Sequence, residues 1–453
     1  MTIVAPPTAA PAQPAPPDAV EARVRALGRH IAAGQAKAGR TRTRVLEDRG
    51  MELLARDPAL RAALFRLVDV APATSGRRDL AAHLASLLGE AQAADAPAGG
   101  FLRRASVTAR SAATGRASGP AVGAVAGLAV HRMATRFIVG EDPADAVPTL
   151  AGLWESGAAA TVDLLGEATV TTAEADRYAR RCDEALRTLA RAAQTWPARP
   201  TLDVVPRVNL SVKVTALTAK VKAEAPEIGI ADASHRLRGL LRTAKAVGAH
   251  LHVDMESMAS RDLITQLVID LLGEPEFRTG LSAGIVLQAY LRDADEQLDQ
   301  LLDGIQQPFT VRLVKGAYWE HETVEARQHG WDSPVYLNKV ESDRSFERLT
   351  KRLLDHRPHV KVAIASHNVR SIAHALALAP DRDLELQVLR GLGDDLQVAL
   401  TDMGLRVRTY CPVGDLVAGM SYLVRRLLEN TSNDSFLLSR SRGTDLDQLL
   451  AKP

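Results

Sequence analysis

The chain has 453 residues, 46% of them hydrophobic, which is enough to bury a large core beside a smaller one and excludes a disordered protein. Lys and Arg number 56 against 54 Asp and Glu, a formal net charge of +2, so global charge designates neither nucleic acid nor a membrane as the partner. Two cysteines, Cys182 and Cys411, are too few for a disulfide framework or a thiolate metal site and suit a reducing compartment, with the cytoplasm as the default.

In chain order, "MTIVAPPTAAPAQPAPP" has neither the basic region nor the apolar segment of a signal peptide, and its Pro/Ala content reads as a disordered tail over residues 1–17. Residues 18–125 read as an all-α arm, because "EARVRALGRHIAAG" and "DLAAHLASLLGEAQAA" space their apolar residues by three and four. Between Glu21 and Pro120 there are 17 Lys/Arg and 9 Asp/Glu, a local excess of +8. These charges alternate around helices, with no interleaved aromatics and no zinc-finger spacing, so a solvated helical surface is the better reading and no nucleic acid is expected. The segment "ASGPAVGAVAGLAV" reads as a tight connection and is too short to span a bilayer.

From about residue 160 the texture changes to short β-branched runs alternating with helical stretches. The candidate strands span 160–167, 207–215, 250–257, 283–290, 309–318, 360–367, 384–391 and 406–414. Eight such runs, each followed by a helix-length segment, predict a (β/α)8 barrel over residues 126–440, with 441–453 as a tail or linker. In that architecture the C-terminal strand ends converge on the active site. The polar residues there are Glu167, Lys213, Asp254, Glu256, Gln288, Arg312, Lys315, His367 and Tyr410. Past the last strand, Leu416, Met420, Leu423 and Leu427 define the apolar face of a helix, and Tyr422, Arg425, Arg426 and Glu429 share the opposite stripe. On its own that stripe reads as a solvated face, but together with Lys213, Arg312 and Lys315 it forms a cationic excess over Glu167, Asp254 and Glu429 that implies a bound anion. His252, Asp254 and Glu256 alternate on one strand without a second ligand cluster, so no metal is assigned. Nucleophile-elbow, P-loop, zincin and Rossmann motifs are absent from the sequence.

The ordered set "SVK", "HVDMES", "LQAYLRD", "RLVKGAYWE", "SHN", "YCPVGDL" and "YLVRRLLENTSNDSF" closely resembles the flavin-dependent proline dehydrogenases, above all the proline dehydrogenase domain of bacterial bifunctional proline-catabolic enzymes. The resemblance covers roughly residues 130 to 440. It implies a distorted (β/α)8 barrel that binds FAD, oxidises L-proline to Δ1-pyrroline-5-carboxylate by hydride transfer to flavin N5, and passes electrons to a membrane quinone from a cytoplasmic or peripheral inner-membrane position.

Carried over by position, the resemblance makes Lys213, Arg425 and Arg426 the grip on the proline carboxylate, with Tyr318, Leu389, Tyr410 and Tyr422 around the ring and Glu167 pairing with Arg425. Asp254 and Arg312 are the catalytic pair, Asp254 orienting the Arg–Lys cluster and Arg312 facing the part of the flavin that gains charge. Met255, Gln288, Arg312, Lys315, Gly316, Ala317, Trp319, Ser366 and His367 are the expected cofactor contacts, with Trp319 equally readable as core. The bifunctional relatives continue into an aldehyde dehydrogenase, whereas this sequence stops at Pro453, so a monofunctional enzyme and a piece of a longer one both stay open. Two other readings also stay open at this level: a barrel flavoenzyme acting on hydroxyproline or a related cyclic amine, and a flavin-free binding protein on a barrel scaffold.

Overall fold

The computed structural model describes residues 17–38, 59, 62–63, 66–67, 70, 73–93, 124, 135–166, 169–222, 225–415, 419 and 444–453. Residues 1–16 of the expected tail, most of the helical arm, Glu167 and the stripe Tyr422, Arg425, Arg426 and Glu429 lie outside the described residues, and Pro17 begins a helix. Eight parallel strands close into a barrel in chain order: β1 (Ala158–Leu164), β2 (Asn209–Val212), β3 (His250–Val253), β4 (Ser282–Gln288), β5 (Phe309–Val314), β6 (Val360–Ala365), β7 (Glu385–Leu389) and β8 (Val407–Val413). Most strands lie inside the segments their β-branched texture marks. β1 and β4 start earlier, and β1 ends at Leu164, so Glu167 belongs to the following loop.

Closure rests on β1 and β8, which pair along their whole length from Ala158↔Val407 to Leu164↔Val413. Helices cover the outside, each started by local chemistry. Thr171 and Glu174 form a reciprocal capping box for helix Thr172–Ala193, and Pro226 opens helix Pro226–Val247 where its missing N–H costs nothing. The apolar faces of these helices, with Leu186, Leu189, Leu237 and Leu240 nearly or fully buried, pack on the outward side chains of the strands.

The barrel interior is polar where aliphatic layers are the usual filling. Arg408 is 1% exposed, donating to Glu385 Oε1 at 2.8 Å and to the Ala160 carbonyl at 2.7 Å. Gln387 Nε2 donates to the same Glu385 oxygen at 2.7 Å, so the buried charges are matched. Ala363 stands in register beside both Arg312 and Glu385, where a methyl leaves room for their longer side chains. His250 and His252 stack along β3 with Nε2 and Nδ1 3.1 Å apart, and burial beside Arg408 and Arg312 holds both rings well below the usual imidazole range.

The first helix of the expected arm, Pro17–Ala38, lies directly on the barrel. It packs on helices Val369–Leu378 and Asp394–Asp402 and buries Val24 and Ile31 completely. The segment expected to be a tail or linker packs as well: Leu450 is fully buried, and a Cβ at Gly28 would come within 2.4 Å of its side chain. Arg370 joins the three parts, donating to Glu21 Oε1 at 2.7 Å, Glu347 Oε1 at 2.8 Å and the Leu450 carbonyl at 2.6 Å.

Candidate active site

Strand alternation sends every second side chain inward, and at the C-terminal ends of β1, β2, β3, β5 and β8 those side chains meet around Asp254. Its Oδ1 accepts from Ser211 Oγ at 3.0 Å and Arg312 Nη1 at 2.8 Å, and its Oδ2 from the Tyr410 hydroxyl at 2.8 Å. Ser211 Oγ lies 3.2 Å from both terminal nitrogens of Arg312, and the guanidinium carbon sits 5.4 Å from the Tyr410 ring centroid. Arg312 is thus held by a carboxylate, a hydroxyl and an aromatic face at once, in a wall that leaves it 4% exposed.

Lys213, at the end of β2, reaches Asp163 Oδ1 at 2.6 Å and lies 4.0 Å from Asp254 Oδ2. Burial opposes the ammonium charge, but the two carboxylates outweigh it and push Lys213 above the ordinary lysine value. On the β3 side, Thr215 Oγ1 donates to the Glu256 carboxyl at 2.7 Å, and burial raises that carboxyl above the usual range. Gln288 Nε2 donates to the Glu256 carbonyl at 3.2 Å, while Gln288 Oε1 and Arg312 Nε are buried without a partner among the described residues.

Other predicted residues fall around this centre. Met255 is buried beside Asp254. His367 Nε2 accepts from the Leu389 backbone N–H at 2.9 Å, which fixes its tautomer and ties the end of β7 to the loop carrying Ser366. Lys315 and Lys339 share the carboxylate of Asp343, and burial brings Lys315 down to about 8. Trp319 is 40% exposed, its indole N–H donating to the Tyr336 carbonyl at 2.9 Å, so it is not core. Ala317 is exposed, and Tyr318 is the half-buried residue just before helix Trp319–His329. Gly316 has φ +134°, and a Cβ there would lie 2.3 Å from the Tyr290 ring, so packing alone already demands glycine.

The sequence reading missed Asp163, Ser211 and Asp343. Asp163 and Asp343 change the charge balance: Lys213, Arg312 and Lys315 each have a carboxylate partner, so the excess inferred from strand ends is not found among the described residues. Asp163 had a visible signal, a lone carboxylate inside the apolar run "ATVDLL" one residue before its strand ends. Ser211 and Asp343 had none, being ordinary polar residues until folding brings their partners close. Among the described residues no group of three His, Cys, Asp or Glu could hold a metal ion, and no helix is long and apolar enough to cross a membrane.

A closed parallel barrel with an ion-paired polar centre at its C-terminal mouth defines a (β/α)8 protein of enzyme type. The sequence profile described as "Proline dehydrogenase" matches residues 146–439, more than half of the chain, and that described as "Proline utilization A N-terminal domain" matches residues 21–137. The chain belongs to the proline dehydrogenase family. It is 30% identical over 355 residues to the bifunctional protein PutA of Escherichia coli (strain K12), covering 75% of this chain and 26% of that protein. It is 29% identical over 310 residues to proline dehydrogenase 1 of Bacillus subtilis (strain 168), covering 67% of this chain and 89% of that one. The crystal structure of proline utilization A (PutA) from Bdellovibrio bacteriovorus inactivated by N-propargylglycine superposes with a TM-score of 0.81 at 34% identity, over 96% of this chain and 44% of that one. The chain therefore spans about a quarter of the length of the bifunctional relatives it matches.

Proposed function

We propose that the chain oxidises L-proline to Δ1-pyrroline-5-carboxylate with FAD as the bound acceptor and passes the electrons to a membrane quinone. The observation that carries this reading is the Asp254 centre, which holds Arg312 and Tyr410 rigidly at the barrel mouth, with Lys213 alongside, in a family of proline dehydrogenases. The residues fit a flavin: Gln288 Oε1 and Arg312 Nε are buried hydrogen-bonding atoms with no partner among the described residues. Gln288, Arg312, Met255, Lys315, Gly316, Ala317, Trp319, Ser366 and His367 would hold the cofactor.

When bound, FAD supplies the acceptor for the hydride that leaves proline C5. The chain's own residues bind and orient the substrate. Lys213, Arg425 and Arg426 take its carboxylate, and Tyr318, Leu389, Tyr410 and Tyr422 enclose its ring, with Glu167 as the counterion of Arg425. Asp254 accepts hydrogen bonds from three side chains, so it positions Arg312 and Tyr410 and does not serve as the base. Arg312 would present a fixed cation to the bound cofactor and would favour the negative charge that reduction creates there. The proposed domain division follows: an N-terminal helical region before residue 126, the catalytic barrel over 126–440, and a closing segment from 441. Peripheral docking at the cytoplasmic face of a membrane would bring the quinone to the flavin.

The purified chain should be yellow, and anaerobic L-proline should bleach it. A colourless chain that cannot be reconstituted with FAD, or a flavin that proline leaves oxidised, sinks the reading. Comparing kcat/KM for L-proline and trans-4-hydroxy-L-proline sets the substrate, and proline-dependent reduction of a short-chain quinone checks the acceptor.

A further inference from the structure

We infer that Asp163 is a positioning residue for substrate binding: its carboxylate fixes Lys213 in place and keeps it a cation, so that the lysine can receive the substrate carboxylate. The inference rests on the proposed binding role of Lys213. Asp163 is 1% exposed on β1, in register with Ser211 of β2 and Pro412 of β8, and its Oδ1 lies 2.6 Å from Lys213 Nζ. A buried carboxylate needs a partner, and among the described residues Lys213 is the one Asp163 has.

The other nearby carboxylate cannot replace it. Asp254 lies 4.0 Å from the ammonium, and its oxygens already accept from Ser211, Arg312 and Tyr410. Among the described residues, every other group facing Lys213 is a weaker counterion or none. Glu256 is engaged by Thr215, and its carboxyl is pushed up by burial. Tyr178, whose hydroxyl accepts from the Lys213 backbone N–H at 3.5 Å, and Cys182 behind it are buried groups held neutral by desolvation. Arg312, which shares Asp254 with Lys213, is paired with that carboxylate at 2.8 Å. An ammonium has three donors. Asp163 takes one and directs the stem, leaving two for a ligand carboxylate.

The sign of the pH effect follows. With Asp163 present, burial is overcome and Lys213 keeps its proton throughout the neutral and mildly alkaline range. With Asn at 163, the desolvation remains and the principal opposing charge is gone, so the lysine loses its proton at lower pH. Binding of a carboxylate should then weaken as pH rises, in the variant and not in the parent.

The experiment measures binding of cyclopentanecarboxylate, which has no titrating amine, by calorimetry on the FAD-loaded full chain and on Asp163→Asn from pH 6.5 to 9.5. The ratio of the two Kd values should grow about tenfold or more across that range, and Asp163→Glu should restore most of the parent's flat profile. A ratio independent of pH overturns the proposal. If Asp163→Asn does not fold, Asp163→Asn/Lys213→Met removes both charges together and must bind the probe as Lys213→Met does at every pH. A further loss in the double variant, or its failure to fold, makes Asp163 a structural residue and overturns the proposal. The underlying reading fails separately, if the parent chain holds no flavin or its flavin is not bleached by proline.

Discussion

At the scale of single residues the site is a set of matched charges, so substitutions act on the neighbours left behind as much as on the residue removed. Arg312→Met strips Asp254 of its hydrogen-bonded cation and leaves Ser211 and Tyr410 as its donors, with Lys213 at 4.0 Å. Because the proposed role of this guanidinium is toward charge that develops during reduction, kcat should fall about ten- to a hundredfold with a smaller change in KM for proline. Steady-state kinetics with a dye acceptor reads the split, and a change confined to KM would contradict the role. Arg425→Met and Arg426→Met should do the reverse, raising KM strongly with FAD retained. Loss of one charge-assisted contact costs about 1.5–3 kcal/mol, or roughly ten- to a hundredfold in kcat/KM. Unchanged kinetics in both variants would return the pair to a solvated helix face.

At the scale of elements, the eight strands were legible because short β-branched runs bounded by turns carry their own signal, and the inward residues of those runs point straight to Asp254, Arg312 and Tyr410. What was not legible is pairing. Nothing local in "SPVYLNKVESD" says that Asp343 will bridge Lys315 and Lys339, since the partners meet only when helix Lys339–Asp355 packs back on the barrel. Asp163 escaped notice for a related reason: a residue at the end of an apolar run, such as Glu167, looks more site-like than one inside it, and the strand ends at Leu164, directly after Asp163. The turn after β5 shows how local geometry is dictated from elsewhere. Gly316→Ala should destabilise the fold by about 2–4 kcal/mol, because φ +134° is strained for alanine and the new methyl meets the Tyr290 ring. Urea midpoints of the apo and FAD-loaded forms discriminate: a loss in both assigns the glycine to packing, and a loss only in the loaded form assigns it to cofactor approach.

At the scale of the whole molecule, the N-terminal helix and the closing segment are parts of the barrel's outer shell. The helical periodicity of Pro17–Ala38 was readable, but its docking on helices Val369–Leu378 and Asp394–Asp402 was not, because an amphipathic face does not name the surface that covers it. Arg370→Met should leave Glu21 and Glu347 without their shared cation, costing about 3 kcal/mol. Amide exchange should accelerate first in residues 17–38 and 446–450. Uniform acceleration across the barrel would mean that the arginine supports the barrel itself and not the attachment of the two segments.

That one guanidinium binds both the side chain of residue 21 and the carbonyl of residue 450. Two points of the sequence more than four hundred residues apart are therefore neighbours in space, close enough for a short flexible linker to join them. A circular permutant with the two segments fused through such a linker, and new ends opened in the exposed turn around Gly330 after helix Trp319–His329, should assemble the same barrel. The order in which the strands leave the ribosome would change, and the closed ring they form would not.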